Sequence, residues 1–227
     1  MTDDGYKNLC RIVSSGYLEH AELEIPLAEN TALEKNSENI IAIASCLKSE
    51  FTYLLSLLAK YSDNPLKELI QPTESCKPIV DALNEHVNFM KDKFDGRFYI
   101  ELTDNNLSIQ KSILPFLVHA AKHYDLPIVA TGHSLYLNPE DQEAHAALTA
   151  VRNDLKMTDI RGRNKDAKFH LTTNDEMHEL FSQWPEALSN QKVIADRCNV
   201  TLQFGVYFLP EFELEGNEDI NDALYRF

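Results

Sequence analysis

The sequence predicts an α/β fold in which parallel strands alternate with helices, followed by a helical C-terminal part. Three short apolar runs, residues 40–44, 98–102 and 127–131, have the length and composition of buried strands. The segments between these runs are long enough to hold helices. Strands that alternate with helices favour βαβ units, and such units build a parallel sheet or barrel.

A helix is predicted between the second and third strands. After Ser108, the apolar residues Ile109, Ile113, Leu117 and Ala121 recur every four positions. This spacing places them along one face of a helix, which can then pack on the sheet.

Three further helix starts are marked by capping signals. Asn138 can cap a helix that has Pro139 at its first position. Thr173 and Glu176 have the spacing of a capping box. Pro185 is predicted to begin the last helix, because proline is favoured in the first helical turn.

Two segments interrupt the pattern of packed elements. Residues 153–168 are rich in charge and predict a surface loop. Residues 211–227 are acidic and have few apolar anchors, which predicts a linker that leaves the domain. We therefore expect a partial α/β domain over residues 1–210 and an acidic C-terminal linker over residues 211–227.

The composition narrows the classes of function. The 227 residues carry a formal net charge of −15, which disfavours direct binding to a nucleic-acid backbone. No apolar run reaches the roughly 18 residues that a membrane helix requires, and the polar N-terminus does not resemble a signal peptide, so a cytoplasmic location is expected. The four scattered cysteines, Cys10, Cys46, Cys76 and Cys198, predict reduced thiols rather than a zinc knuckle.

Several motifs occur in the order typical of a known family. They include the segments at residues 6–13, 45–47, 98–102, 127–137 and 205–212. Together they resemble the polymerase-and-histidinol-phosphatase (PHP) domain of the bacterial DNA polymerase III α subunit. The resemblance implies a distorted β/α barrel, and because the chain begins at the segment around Gly5 we expect only a later part of that barrel, truncated at its N-terminus and without the polymerase domains.

The family pattern at residues 130–137 contains an Asp and a His that bind metal. In this chain the Asp position is His133 and the His position is Leu135, which has no lone pair to donate. The resemblance also assigns a metal-ligand position to Cys46, whose thiolate suits zinc. With the upstream ligands missing, Cys46 and His133 are expected to be vestiges of a degenerate metal site, with no catalytic residues and no cofactor. Zinc or manganese remains the alternative if another segment supplies those ligands.

Three other histidines are candidates for weaker roles. His119 and His123 are four residues apart on a predicted helix and could share a metal ion, although two surface histidines are the simpler interpretation. His145 occupies a position where the family commonly has histidine, which makes it a candidate for the edge of the site.

The leading hypothesis is a fragment of a replicative DNA polymerase III α subunit that serves as a non-catalytic structural and protein-interaction platform. The parent family is a DNA-directed DNA polymerase, a nucleotidyltransferase, but this chain alone is predicted to be inactive. Expected partners are the remaining polymerase domains, a second copy of the chain, or a proofreading exonuclease subunit. The strands after Asn39 and Arg97 are expected to be exposed edges. The alternatives are a metal-dependent phosphoesterase or 3′-5′ exonuclease, and a free-standing α/β protein that binds another protein.

Overall fold

A computed structural model describes residues 1–19, 25–161 and 166–207. Helices alternate with three strands in the first part of the chain, and helices dominate the second part. The strands are β1 (Ala42–Ala44), β2 (Phe98–Thr103) and β3 (Ile128–Thr131). The helices are α1 (Asp3–Leu18), α2 (Asn30–Asn36), α3 (Glu50–Tyr61), α4 (Pro65–Glu68), α5 (Lys77–Lys93), α6 (Ser108–His123), α7 (Gln142–Arg152), α8 (Met157–Arg161), α9 (Asn174–Leu180) and α10 (Pro185–Arg197), with a 3₁₀ turn at Pro139–Asp141.

The three strands form a parallel sheet in the order β1-β2-β3. In the register of the sheet, Ala42 is paired with Phe98, and Ile100 is paired with Ile128. This arrangement confirms the predicted fold class of parallel strands alternating with helices. The prediction that the strand after Arg97 is an exposed edge is wrong, because β2 lies between the other two strands.

The core lies where helices α3, α5 and α6 pack on the sheet. Ile100 and Leu102 of β2 are fully buried on one face, since alternate residues of a strand point to the same side. They belong to one apolar cluster with residues of those helices, including Leu117 and Ala121 of the predicted face of α6, whereas Ile109 of that face is 59% exposed. Fully buried members from the three helices include Phe51, Leu55, Leu58, Leu83 and Leu117.

Helix α10 closes the outer edge of β3. The side-chain amide of Asn190 donates to the Ile128 carbonyl at 2.8 Å, and that of Gln191 donates to the Ala130 carbonyl at 2.8 Å. Both carbonyls would otherwise be unpaired at the border of the sheet. The helix therefore satisfies this edge and blocks further strand pairing there.

The predicted helix starts are confirmed. The Asn138 backbone N–H donates to the Asp141 carboxylate at 2.9 Å at the 3₁₀ turn that leads into α7. Thr173 and Glu176 form a reciprocal capping box at the start of α9, and α10 begins at Pro185.

The prediction of a loop over residues 153–168 is wrong in part, because α8 lies within that stretch. The charged residues there help to start the helix: the Lys156 backbone N–H donates to the Asp159 carboxylate at 3.4 Å. The predicted linker at residues 211–227 lies outside the described residues, so the domain boundary stays a prediction. In the described part of the chain, no helix combines the length and the apolar character required to cross a membrane.

Candidate functional site at the carboxyl ends of the strands

One carboxylate connects the carboxyl ends of all three strands. Glu101 lies in β2, and its Oε2 atom accepts a hydrogen bond from the backbone N–H of Cys46, just after β1, at 2.9 Å. Its Oε1 atom accepts from the hydroxyl of Thr131, the last residue of β3, at 2.7 Å. Both oxygens of Glu101 are therefore engaged by protein donors at the edge where a parallel β/α fold carries its functional loops.

The Cys46 thiol lies beside this carboxylate and is almost fully buried, with 2% of the residue exposed. Its Sγ atom lies 3.9 Å from the carbonyl oxygen of Thr103, to which it donates. Burial raises the pKa of the Cys46 thiol, and the negative charges of Glu101 and Asp104 also raise it. Because a cysteine binds metal as the thiolate, this environment disfavours Cys46 as a ligand.

His133 lies two residues after the end of β3, and its side chain is exposed. It has a positive φ of 42°, a conformation that histidine adopts more readily than most residues. Its ring packs edge-on against Phe169, with ring centroids 6.0 Å apart. Leu135 is 47% exposed, and its backbone N–H donates to the Phe169 carbonyl at 2.7 Å.

His145 lies on α7 and is half-buried. Its ring centroid is 5.5 Å from that of Tyr136, in a tilted arrangement. The Tyr136 hydroxyl in turn accepts a hydrogen bond from the Phe169 backbone N–H at 3.2 Å. His145 thus borders the segment after β3 through an aromatic contact.

His119 and His123 lie exposed on α6. The ring of His123 packs edge-on against Tyr124, with centroids 4.8 Å apart. Among residues 1–19, 25–161 and 166–207, no group of three or more His, Cys, Asp or Glu side chains is placed to share a metal ion. At the positions where the PHP resemblance implies metal ligands or near them, the Cys46 thiol is buried, both oxygens of Glu101 accept hydrogen bonds from the protein, and the Leu135 side chain has no atom that can bind a metal.

A cavity of about 420 Å³, lined mostly by polar residues, opens beside this edge and was not predicted from the sequence. Within it, His170 Nε2 and Glu176 Oε1 are 2.9 Å apart, and the His170 side chain is only 9% exposed. The run of polar residues directly after β2 was a signal that could have indicated it, since loops at the carboxyl ends of parallel strands form sites. The cavity is lined by Asp104, Asn105, Asn106, Lys111, Lys168, His170, Thr172, Glu176, Glu179 and Leu180.

Asn105 holds the wall of this cavity in place. Its side-chain amide donates to the carbonyls of Gly132, at 2.8 Å, and Lys168, at 2.7 Å. Its side-chain oxygen accepts from the Gln110 amide at 3.2 Å. A single buried asparagine therefore joins the loop after β2, the loop after β3 and the segment that leads to α9.

The capping box at α9 gives the stability of the fold a dependence on pH. The Thr173 backbone N–H and the His170 side chain lower the pKa of Glu176 to about 2. Because the pKa of Glu176 in the unfolded chain is about 4.3, its contribution to stability is complete above that value and is lost as the pH falls toward about 2.

We expect Glu176→Gln to reduce the slope of the free energy of unfolding against pH between about pH 5 and about pH 3, as measured by urea denaturation. The matched control is Glu85→Gln, at an exposed position of α5, and an equal change in both variants would contradict this assignment.

The PHP domain family matches residues 1–105. The DNA polymerase III α subunit of Vibrio cholerae is 33% identical over 213 residues, which cover 93% of this chain and 17% of that protein. The α subunit of Thermus aquaticus is 30% identical over 217 residues, covering 92% of this chain and 16% of that protein. The α subunit of Escherichia coli K12 is 34% identical over 145 residues, covering 63% and 12% respectively.

The fold and the site define a parallel α/β domain whose polar side chains gather at the carboxyl ends of its strands. The chain spans less than a fifth of the length of these curated relatives. Residues 1–105 match the PHP domain family, and over most of its length the chain is similar to the α subunits of bacterial DNA polymerase III.

Proposed function

We propose that this chain is the PHP segment of a replicative DNA polymerase III α subunit and acts as a non-catalytic structural and protein-interaction platform with a degenerate metal site. The observation that carries the proposal is the hydrogen bonding of Glu101. Its two oxygens bind Cys46 and Thr131, so the groups nearest to the family's ligand positions hold the strands together rather than a cation.

The surroundings of the ligand positions support the same proposal. His133 is exposed and contacts Phe169, while the Cys46 thiol is buried and donates a hydrogen bond to the Thr103 carbonyl. A hydrolytic metal centre requires several ligands that converge on one ion and leave a position open for water. Cys46 alone cannot supply that arrangement.

The partners in this proposal are the other domains of the polymerase α subunit or a second copy of the chain, with a proofreading exonuclease subunit as a further candidate. The net charge of −15 gives no electrostatic attraction toward DNA, so this segment does not bind DNA directly. The proposed location is the cytoplasm, where replication in bacteria takes place.

The first test is the metal content of the purified chain. We expect far less than one equivalent of zinc, manganese or iron by elemental mass spectrometry, because the described residues lack a converging ligand set. A stoichiometric metal that is lost in the Cys46→Ala, His133→Ala double variant would contradict the degenerate site. The exposed Cys198→Ala variant is the control for nonspecific loss of a thiol.

Activity assays on the same purified chain and variants distinguish a non-catalytic platform from an enzyme. The chain is expected neither to extend a primed template nor to degrade single-stranded DNA above background when Mn²⁺ or Mg²⁺ is added. Cleavage that follows the protein peak and disappears in the double variant would instead favour a metal-dependent phosphoesterase or 3′-5′ exonuclease.

A further inference from the structure

Helix α3 presents two tyrosines to solvent. Tyr53 and Tyr61 are eight residues apart, which places them on the same side of the helix, and each is 61% exposed. The opposite side of α3 packs in the core through the fully buried Phe51, Leu55 and Leu58. The tyrosine side is therefore free for a contact outside the core.

Helix α4 is held beside the end of α3. The Ser62 hydroxyl donates to the Glu68 carboxylate at 3.2 Å, and the Cys76 thiol donates to the Tyr61 carbonyl at 3.9 Å. Ile70, which follows α4, is 65% exposed. Exposed apolar surface thus continues from α3 to the segment after α4.

Two lysines lie on the same surface. The Lys60 ammonium is 5.7 Å from the centroid of the Tyr61 ring, and Lys67 is exposed on α4. Neither lysine makes an ion pair with a described residue. Of the two acidic residues in this stretch, Glu68 is buried and Asp63 is exposed, so the exposed side chains keep a small excess of positive charge in a chain of net charge −15. We call the surface formed by Tyr53, Lys60, Tyr61, Lys67 and Ile70 the α3–α4 surface.

The segment at residues 211–227 has the complementary composition. It carries six acidic residues and one basic residue, and its first five residues alternate acidic and apolar, with Phe212 and Leu214 between glutamates. In an extended conformation such alternation separates the carboxylates from the apolar side chains. The described chain ends at Tyr207, and the 20 residues that follow can span up to about 66 Å, which is several times the radius of gyration of about 17 Å for a domain of this size. The segment is therefore long enough to reach α3 and α4.

We propose that the acidic segment at residues 211–227 binds the α3–α4 surface of its own chain. Its carboxylates lie against Lys60 and Lys67, and its apolar side chains cover the exposed tyrosines and Ile70. Each exposed ion pair contributes little. Because the segment is tethered to the surface that it binds, its effective concentration is about millimolar, so a weak contact is sufficient.

Zero-length cross-linking of the full wild-type chain tests this contact. A carbodiimide joins a lysine amine to a carboxylate only when the two groups meet, and peptide mass spectrometry identifies the joined residues. We expect cross-links from residues 211–227 to Lys60 and Lys67, with a yield that falls at high salt because exposed charges are screened. Lys122, an exposed lysine of α6, is the internal control and is expected to give few cross-links to this segment.

The apolar half of the contact is tested with a variant that keeps both lysines. Tyr53→Ser combined with Tyr61→Ser is expected to lower the yield of these cross-links about fivefold or more, because tyrosines often dominate the energy of a contact. The control is Tyr17→Ser on α1, where the tyrosine is 62% exposed, and it is expected to keep the wild-type yield.

Three results would overturn the proposal. The first is cross-linking of residues 211–227 to Lys122 as often as to Lys60 and Lys67, and the second is a yield that the double tyrosine variant leaves unchanged. The third comes from a mixture of ¹⁵N-labelled and unlabelled chain: cross-links that join a labelled peptide to an unlabelled one would assign the surface to the acidic segment of a second copy. None of these results depends on the metal content or the nuclease assays, so this inference and the proposed function can fail separately.

Discussion

Replacing Asn105 by alanine is expected to lower the free energy of unfolding by about 3 kcal/mol. The substitution removes three side-chain hydrogen bonds at a residue that is 2% exposed. It also leaves the carbonyls of Gly132 and Lys168 without that donor in a partly buried setting. Urea denaturation followed by circular dichroism measures the loss.

The control for this prediction is Asn153→Ala at the end of α7. Asn153 makes one exposed side-chain bond, to the Thr149 carbonyl at 2.8 Å, so its loss is expected to change stability by no more than about 0.5 kcal/mol. If Asn105→Ala were as mild as this control, the loops after β2 and β3 could not depend on Asn105.

Glu101→Ala is expected to cost about 2–4 kcal/mol, because it leaves the Cys46 N–H and the Thr131 hydroxyl without their acceptor. Glu101→Gln is expected to cost less, since the amide oxygen can accept one of these bonds and the Thr131 hydroxyl can rotate to accept the other. Urea denaturation measures these losses of stability. The rate at which Cys46 reacts with a thiol reagent is expected to rise from wild type to Glu101→Gln and again to Glu101→Ala.

Glu85→Ala is the matched control for the Glu101 series, because Glu85 is an exposed glutamate on α5. It is expected to leave both the stability and the reaction rate of Cys46 close to wild type. Glu101 variants that behave like Glu85→Ala would mean that the strand ends are held together by packing alone.

The sequence allows an element of the fold to be predicted where residues that are close together in the chain determine it. The apolar run at residues 98–102 and the capping box of Thr173 and Glu176 each depend on neighbours in sequence, and both predictions are confirmed. The order of the strands depends on the path of the chain between them. For this reason β2 was expected at an edge and is instead in the centre.

The position of the candidate site could be predicted from the sequence, but its hydrogen bonds could not. The sequence placed Cys46 and His133 just after strands, and the structure places them there. Glu101 was not singled out, although a glutamate inside a buried strand requires partners and is a signal in itself. Its partners lie 55 and 30 residues away in the chain, at Cys46 and Thr131, and such distant pairing leaves no local pattern.

The cavity beside Asn105 was missed for the same reason. Its walls come from the loop after β2 and from the segment around His170, which reach each other through bonds such as that from Asn105 to Lys168, 63 residues apart. The charge-rich stretch that precedes this segment favoured a plain surface loop. Only the folded chain brings the two walls together.

The amides of Asn190 and Gln191 also set a limit on how far this sheet can grow. A chain that joined another copy through β1 would present only its closed β3 border on the far side, so the pair would have no border left to recruit a third member. An open-ended filament requires an unpaired strand border on both sides of the sheet, and in the described part of the chain the β3 border is occupied. The side chains of a single helix thereby end the sheet at β3.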